Sequence, residues 1–140
     1  MFDVRRFSAM AITLFGLVVT LPIEAYAIDL TGAWATDHAL CDRVFTKKKN
    51  QIAFSELSDL YGSGFIIDGS RIRGKSAQCT IKSRKEEGDT VQLSSACATT
   101  IMTSSVQFSL KVIDANTISR LFPEIQGVQV MALNYYRCAF

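Results

Sequence analysis

Alternating apolar and polar positions run through much of the chain beyond residue 60. Val106, Phe108, Leu110 and Val112 alternate with Gln107, Ser109 and Lys111, and Val91, Leu93, Ser95 and Cys97 alternate with Gln92, Ser94 and Ala96. A period of two places each set on one face, so both segments read as half-buried β-strands. Phe65-Ile66-Ile67-Asp68-Gly69-Ser70-Arg71-Ile72 carries Asp-Gly between two apolar runs, the pattern of a type I′ hairpin with positive φ at both central residues. With Asp68-Gly69 at the tip, Ile67 faces Ser70, Ile66 faces Arg71 and Phe65 faces Ile72. This register sorts Phe65, Ile67 and Ile72 onto one face and Ile66, Arg71 and Arg73 onto the other.

Turn residues delimit the remaining strands. Lys85-Glu86-Glu87-Gly88-Asp89 reads as a polar turn, and Asp114-Ala115-Asn116 turns the next hairpin, with Thr117 to Phe122 as its return strand. Pro123 to Gln129 reads as an irregular crossing and Met131 to Cys138 as the last strand. Gly74 lies where the apolar parity shifts between Ile72 and Cys79, which predicts a bulge. One short helix is expected over Asp37 to Phe45, with Asp37 as N-cap and Leu40 and Val44 at helical spacing, followed by a loop at Lys47-Lys48-Lys49-Asn50. Regular hairpin signals and a single alternating core predict an all-β fold: a small antiparallel barrel of seven to eight strands, with one short helix after the first strand.

The N-terminus follows a different pattern. Arg5 and Arg6 precede the uncharged apolar run Phe7 to Leu21; Pro22 and then Ala25-Tyr26-Ala27 follow. A positive region, a short apolar core and an A-x-A site describe a cleaved secretory signal over residues 1–27. Removing residues 1–27 from 140 leaves 113 as a single β-barrel domain, 28–140, the size of one domain. The run is shorter than the ~18 residues of a confident span, so no permanent membrane span is expected after cleavage. The 49% hydrophobic content is inflated by this leader, to which much of the apolar excess belongs. The formal charge of +2 argues against a nucleic-acid partner, which favours a concentrated basic excess.

All four cysteines, Cys41, Cys79, Cys97 and Cys138, follow the leader. An even count in a small exported chain reads as two disulfides, and the spacings match no zinc pattern. Of the three possible pairings, Cys79–Cys97 is favoured because it joins neighbouring strands of one hairpin, which leaves Cys41–Cys138. The compartment implied is periplasmic or extracellular.

The chemistry-bearing residues are few. His38 is the sole histidine, which excludes a two-histidine mechanism, and Gly62-Ser63-Gly64 lacks the frame of a nucleophile elbow. Glu86 and Glu87 sit among basic residues at a turn, and Asp37 and Asp42 flank a helix. No phosphate loop or calcium loop occurs, so neither an enzyme nor a cofactor is expected. Arg71, Arg73 and Lys75 recur at every second position and, with Lys82, Arg84, Lys85 and Lys47 to Lys49, suggest either an anion-binding patch or a solvated outer face; the nearby acids favour the latter.

Asp29-Leu30-Thr31-Gly32-Ala33-Trp34 places a Gly-x-Trp soon after the leader, and Tyr135-Tyr136-Arg137-Cys138 places an arginine on the last strand. This resembles the calycin group of lipocalins, avidins and small bacterial metalloprotease inhibitors. The resemblance implies that Trp34 closes one barrel end with Arg137 stacked across it, cation over ring. The chain departs from the pattern in three ways. It is short for a ligand-carrying lipocalin, with little room expected for a cavity. Only Ile28 to Thr31 precede the motif, where the inhibitors use an N-terminal segment. Its four cysteines exceed those of that inhibitor group.

These readings converge on an exported, non-catalytic binding module of the cell envelope, for a small ligand or an envelope protein. The alternative is an inhibitor of a secreted peptidase or lysozyme. Candidate contact segments are Phe45 to Gln51 with Lys47, Lys48 and Lys49, Tyr61 to Gly64 with Tyr61 and Ser63, and Pro123 to Gln129 beginning at Pro123.

Overall fold

A computed structural model describes residues 27–123, 127 and 131–140. The expected leader lies outside the described residues up to Tyr26, and the expected crossing at Pro123–Gln129 is described only at Pro123 and Gly127. Ten strands are present among the described residues: β1 (Gly32–Ala35), β2 (Phe45–Lys48), β3 (Gln51–Phe54), β4 (Gly64–Asp68), β5 (Arg71–Arg73), β6 (Gln78–Glu87), β7 (Thr90–Ala98), β8 (Thr103–Asp114), β9 (Thr117–Leu121) and β10 (Ala132–Cys138). Eight of them close a barrel in the order β1-β10-β9-β8-β7-β6-β5-β4, with β4 pairing back to β1. All pairs are antiparallel, and β2 with β3 forms a separate hairpin. Closure leaves the barrel no unpaired edge.

Alternation decides what lies inside. Trp34, Ile67, Ile72, Cys79, Val91, Leu93, Cys97, Leu110, Ile118 and Tyr135 point inward and form the main core with Leu30. The opposite faces of β1, β4 and β10 carry Ala33, Ala35, Ile66 and Cys138, which pack with Val44 and Phe45 into a second core outside the barrel. That outer layer consists of a 3-10 turn (His38–Leu40), the one-turn helix α1 (Cys41–Val44) and the β2–β3 hairpin. Asp37 caps the turn as expected, its carboxylate accepting from Ala39 N at 2.9 Å. The helix stops at Val44, and Phe45 opens β2. Both disulfides form in the favoured pairing. Cys41–Cys138 pins the outer layer to the last strand, and Cys79–Cys97 joins directly opposed residues of β6 and β7 whose Cα atoms are 3.9 Å apart.

Several local expectations are corrected. The β4–β5 turn is Gly69-Ser70, with Asp68 paired to Arg71, Ile67 to Ile72 and Ile66 to Arg73. Gly69 takes φ +59° while Asp68 and Ser70 do not adopt positive φ, the sign pattern of a type II′ turn, which needs glycine only at its first central position. The register therefore moves by two residues, and every side chain keeps its expected face. Lys47 to Asn50 is no loop: Lys47 and Lys48 are in β2, and Lys49-Asn50 form a two-residue turn with φ +48° and +64°. β6 continues through Glu87, so the polar turn shrinks to Gly88-Asp89. At Gly74 a four-residue connection, residues 74–77, absorbs the parity shift, and the bulge lies instead between Ile81 and Ser83.

Gly64 marks the tightest crossing of the two cores. A Cβ there would come 2.5 Å from the Trp34 carbonyl oxygen and 2.7 Å from Phe45 Cζ, whereas at Gly74 the nearest atom would be 3.4 Å away. Gly64→Ala is therefore expected to cost about 2–4 kcal/mol and Gly74→Ala less than about 0.5. Urea midpoints of the two variants check this, and equal midpoints would overturn the steric account.

Candidate functional site

The antiparallel order gives the barrel two unlike ends. At one end lie the turns 69–70, 88–89 and 115–116 and the segment Ile28–Thr31. Here Arg137, directly opposite Trp34 in the β1–β10 ladder, sits 4.3 Å from the Trp34 ring centroid. Its guanidinium donates to Ala115 O at 3.0 Å, to Asp29 O at 2.9 Å and to Thr31 O. Trp34 Nε1 donates to Leu30 O at 2.9 Å, and Arg84 donates to Ile28 O. Four successive carbonyls, those of residues 28 to 31, are thus each taken by a side-chain donor, and the segment seals this end.

The bulge between Ile81 and Ser83 makes that seal possible. It reverses parity along β6, so Arg84 stands opposite Leu93 and Glu86 opposite Val91, on the inner face. Without it the pair Arg84–Glu86 would face solvent on the barrel wall.

The other end is open. A cavity of about 300 Å³ enters the barrel there, lined by Phe65, Ile67, Ile72, Val106, Phe108, Leu110 and Tyr135 and by the Cys79–Cys97 disulfide. Gly64, Gly74, Ala77, Thr99 and Ser104 form its upper wall, where small side chains leave space that Trp34 and Leu93 occupy lower down. This corrects the expectation of little internal room. Arg120 is the only charged side chain lining the cup among the described residues. It points inward with Ile118, and its guanidinium carbon lies 4.7 Å from the centroids of both Phe108 and Phe122. It forms no hydrogen bond or ion pair with another described residue, whereas Arg71 pairs with Asp68 and Arg73 donates to Ile52 O. Around this mouth Leu60, Ile101, Met102 and Met131 are exposed, with Ile101 at 88%.

The structure divides the sequence-predicted site residues between the two ends. Ser63 lines the cup, and Pro123 is exposed just beyond β9 on the same side. Tyr61 packs against the outer core, with Arg43 5.4 Å from its ring centroid. Lys47 and Lys48 lie on the outer hairpin, and its turn, Lys49-Asn50, points toward the closed end, where Asn50 shares a cleft with Thr31, Gly32 and Asp68. The suspected basic patch is dispersed: Lys75 donates to Ser55 O, Glu56 O and Ser58 Oγ at 2.8–3.0 Å, and Arg73 and Arg71 are engaged as above. His38 is exposed on the outer layer. Among the described residues no group of three or more His, Cys, Asp or Glu is placed to hold a metal ion.

Neither family models, curated proteins nor solved structures give a counterpart to this chain, so the cup and its seal stand on their own geometry. Sequence reading missed Arg120, although a signal existed: on a strand Thr117 to Phe122 it shares parity with Ile118, a charged residue on an inward face.

Two outcomes follow from the seal. Arg137→Met removes three hydrogen bonds and the cation over Trp34, and should cost about 2–3 kcal/mol with a red-shifted Trp34 fluorescence. Arg137→Lys should recover less than half, since an ammonium cannot span the same carbonyls; full recovery would refute the fork geometry. The Asp29 carboxyl is held below its ordinary range by the Thr31 N–H, then by the Thr31 hydroxyl and the charges of Arg137 and Arg84. A lowered carboxyl pKa stabilises the fold above the ordinary value and loses that effect as pH falls through the lowered one. Asp29→Asn should thus be less stable than the parent at pH 7, with the gap closing below about pH 4, as thermal midpoints across pH would show.

Proposed function

We propose that this chain is an exported, non-catalytic binding module of the cell envelope whose ligand occupies the open cup. The observation that carries this reading is the apolar cavity of about 300 Å³ entering one end of a barrel that is sealed at the other. Its volume falls at the lower edge of the roughly 300–1,000 Å³ usual for small-molecule sites, which suits a medium-length acyl chain or a similar apolar fragment. Arg120 at the mouth adds a preference for a ligand with an anionic end, because its donors meet no protein acceptor among the described residues and an ion pair there is only partly screened. The two disulfides and the A-x-A site support export. Closure of an eight-stranded barrel by Trp34 and Arg137 supports the calycin resemblance.

A hydrolase inhibitor would present its contact segments on one protruding surface. The spread of Lys47–Lys49 and Tyr61–Ser63 toward different ends favours the ligand cup over that reading.

Decanoate and decanol, titrated calorimetrically into the purified exported protein, test the proposal. Saturable one-to-one binding is expected, lost at least about tenfold in Val106→Trp, which fills the cup without touching the seal. Arg120→Met should weaken decanoate about tenfold and leave decanol unchanged. Absence of saturable binding for both probes would overturn the cup as a ligand site.

A further inference from the structure

The segment 28–31 is fastened by side chains, and the fastening begins at Ile28. Besides giving its carbonyl to Arg84, Ile28 presents its backbone nitrogen to both carboxylate oxygens of Glu86, at 3.2 and 3.5 Å. Its side chain packs against the main core, while Ala27 is exposed. Glu86 is also paired with Arg84, and both side chains are about two-thirds covered, at 30% and 34% exposure. The charged groups nearest this point are therefore Arg84 and Glu86 from β6, Arg137 from β10, Asp29 from the segment itself and Asp114 from the rim of the same cleft. Ile28 is also the residue that follows the Ala25-Tyr26-Ala27 site.

We infer that Glu86 is the receptor for the α-ammonium created at Ile28 when the leader is removed. The inference rests on the reading of residues 1–27 as a cleaved leader. Hydrolysis of the Ala27–Ile28 peptide bond by a signal peptidase consumes one water and leaves a carboxylate on Ala27 and an ammonium on Ile28. In the uncut chain the Ile28 nitrogen is a neutral amide with one hydrogen to donate. After cleavage it carries a full charge and three donors, and it faces a carboxylate whose two oxygens are already within reach. The neutral contact becomes an ion pair that joins the Arg84–Glu86 pair at this barrel end. Processing thereby completes the seal: the barrel end closed by Arg137 and Trp34 gains its last electrostatic contact only in the mature chain. The same contact explains why an acid stands opposite Val91 on the inner face of β6, where Arg84 alone would leave an unbalanced charge.

The test separates the premise from the inference. Mass spectrometry of the exported protein identifies the first residue, and Ile28 is expected. Any other start would overturn the inference through its premise. Thermal midpoints of the mature protein are then compared with and without selective acetylation of the α-amine, in the parent and in Glu86→Gln. Acetylation keeps one N–H donor and removes the charge together with the two further donors that cleavage created, and glutamine keeps an acceptor and the side-chain length. The parent should lose roughly 3–5 °C on acetylation, and Glu86→Gln should lose less than about 1 °C. The parent's advantage should also fade as pH rises through the titration of the amine, ordinarily about 7.7–8.0. An equal loss in both backgrounds, with Ile28 as the first residue, would overturn the role of Glu86 while leaving the cleavage site intact.

Discussion

The contact on which the rest of the structure depends is that of Arg137 with Trp34 and the chain beneath them. An eight-stranded barrel encloses just enough space for side chains to fill, so small differences in residue size decide whether it is solid or hollow. Trp34, buried completely, fills the lower barrel together with Val91, Leu93, Leu110 and Ile118. Arg137 lies across the indole and uses its remaining donors on the Asp29, Thr31 and Ala115 carbonyls. Loss of the guanidinium would leave the segment 28–31 with no sheet to join, because its carbonyls are satisfied by side chains rather than by a neighbouring strand. The seal is what allows the other end to stay open. With the main core consolidated at one end, glycine and alanine can occupy positions 64, 74 and 77 without collapse of the wall.

The two disulfides serve different layers of this arrangement. Cys41–Cys138 spans 97 residues and ties α1 to the strand that carries Arg137. In the chain-entropy model a loop of that length removes about 4–5 kcal/mol of unfolded-state freedom. The outer layer needs this tie, since a one-turn helix and a hairpin of two four-residue strands have little stability alone. Cys79–Cys97 closes a much shorter loop and stands in the cup wall, where it fixes the spacing of β6 and β7 beside the cavity.

Much of the fold was legible because the inward faces alternate strictly. β7 carries Val91, Leu93 and Cys97 and β8 carries Val106, Phe108, Leu110 and Val112 at every second position, with Ser95 the polar exception in the core, and the closed barrel follows from joining such hairpins. What could not be read were the places where a backbone choice is decided by context. Asp68-Gly69 fits a type I′ turn locally, yet Ile67 opposite Ile72 buries two large side chains together, and the turn moved to Gly69-Ser70 to permit it. Lys49-Asn50 adopts two positive φ values without glycine, where Phe45 stacked against Phe54 at 5.0 Å holds the hairpin shut. The bulge at Ile81/Ser83 carries no glycine either. It is favoured because it turns Arg84 and Glu86 toward Ile28, a contact 56 to 58 residues away. Arg120 was hidden for a different reason: a cation in the middle of a strand reads as an outward residue until the parity of Ile118 is imposed.

The ion pairs are concentrated at one end of the barrel axis, and that bears on how the cup would be filled. The pairs Arg71–Asp68, Arg84–Glu86, Lys85–Glu87 and Lys111–Asp89 all lie toward the sealed end, and at the open end Lys75–Asp59 stands alone among the described residues. Leu60, Ile101, Met102 and Met131 surround the mouth, while Ile113 and Phe140 are exposed nearer the sealed end. Surface ion pairs of this kind add little to stability, so their concentration matters chiefly for solvation, which is stronger around the charged end. An apolar molecule approaching the proposed cup would meet a rim that is already poorly hydrated, and the water displaced on its way inward would be the least strongly held on the surface. Arg120, the charged side chain that lines the cup among the described residues, lies against Phe108 and Phe122, and the aromatic faces lower the cost of keeping its charge beside an apolar cavity. In the proposed ligand site a neutral residue in its place would remove the one charge that lines the cup among the described residues, so that under this proposal selectivity for an anionic end would rest on Arg120 and capacity for an apolar body on the walls below it.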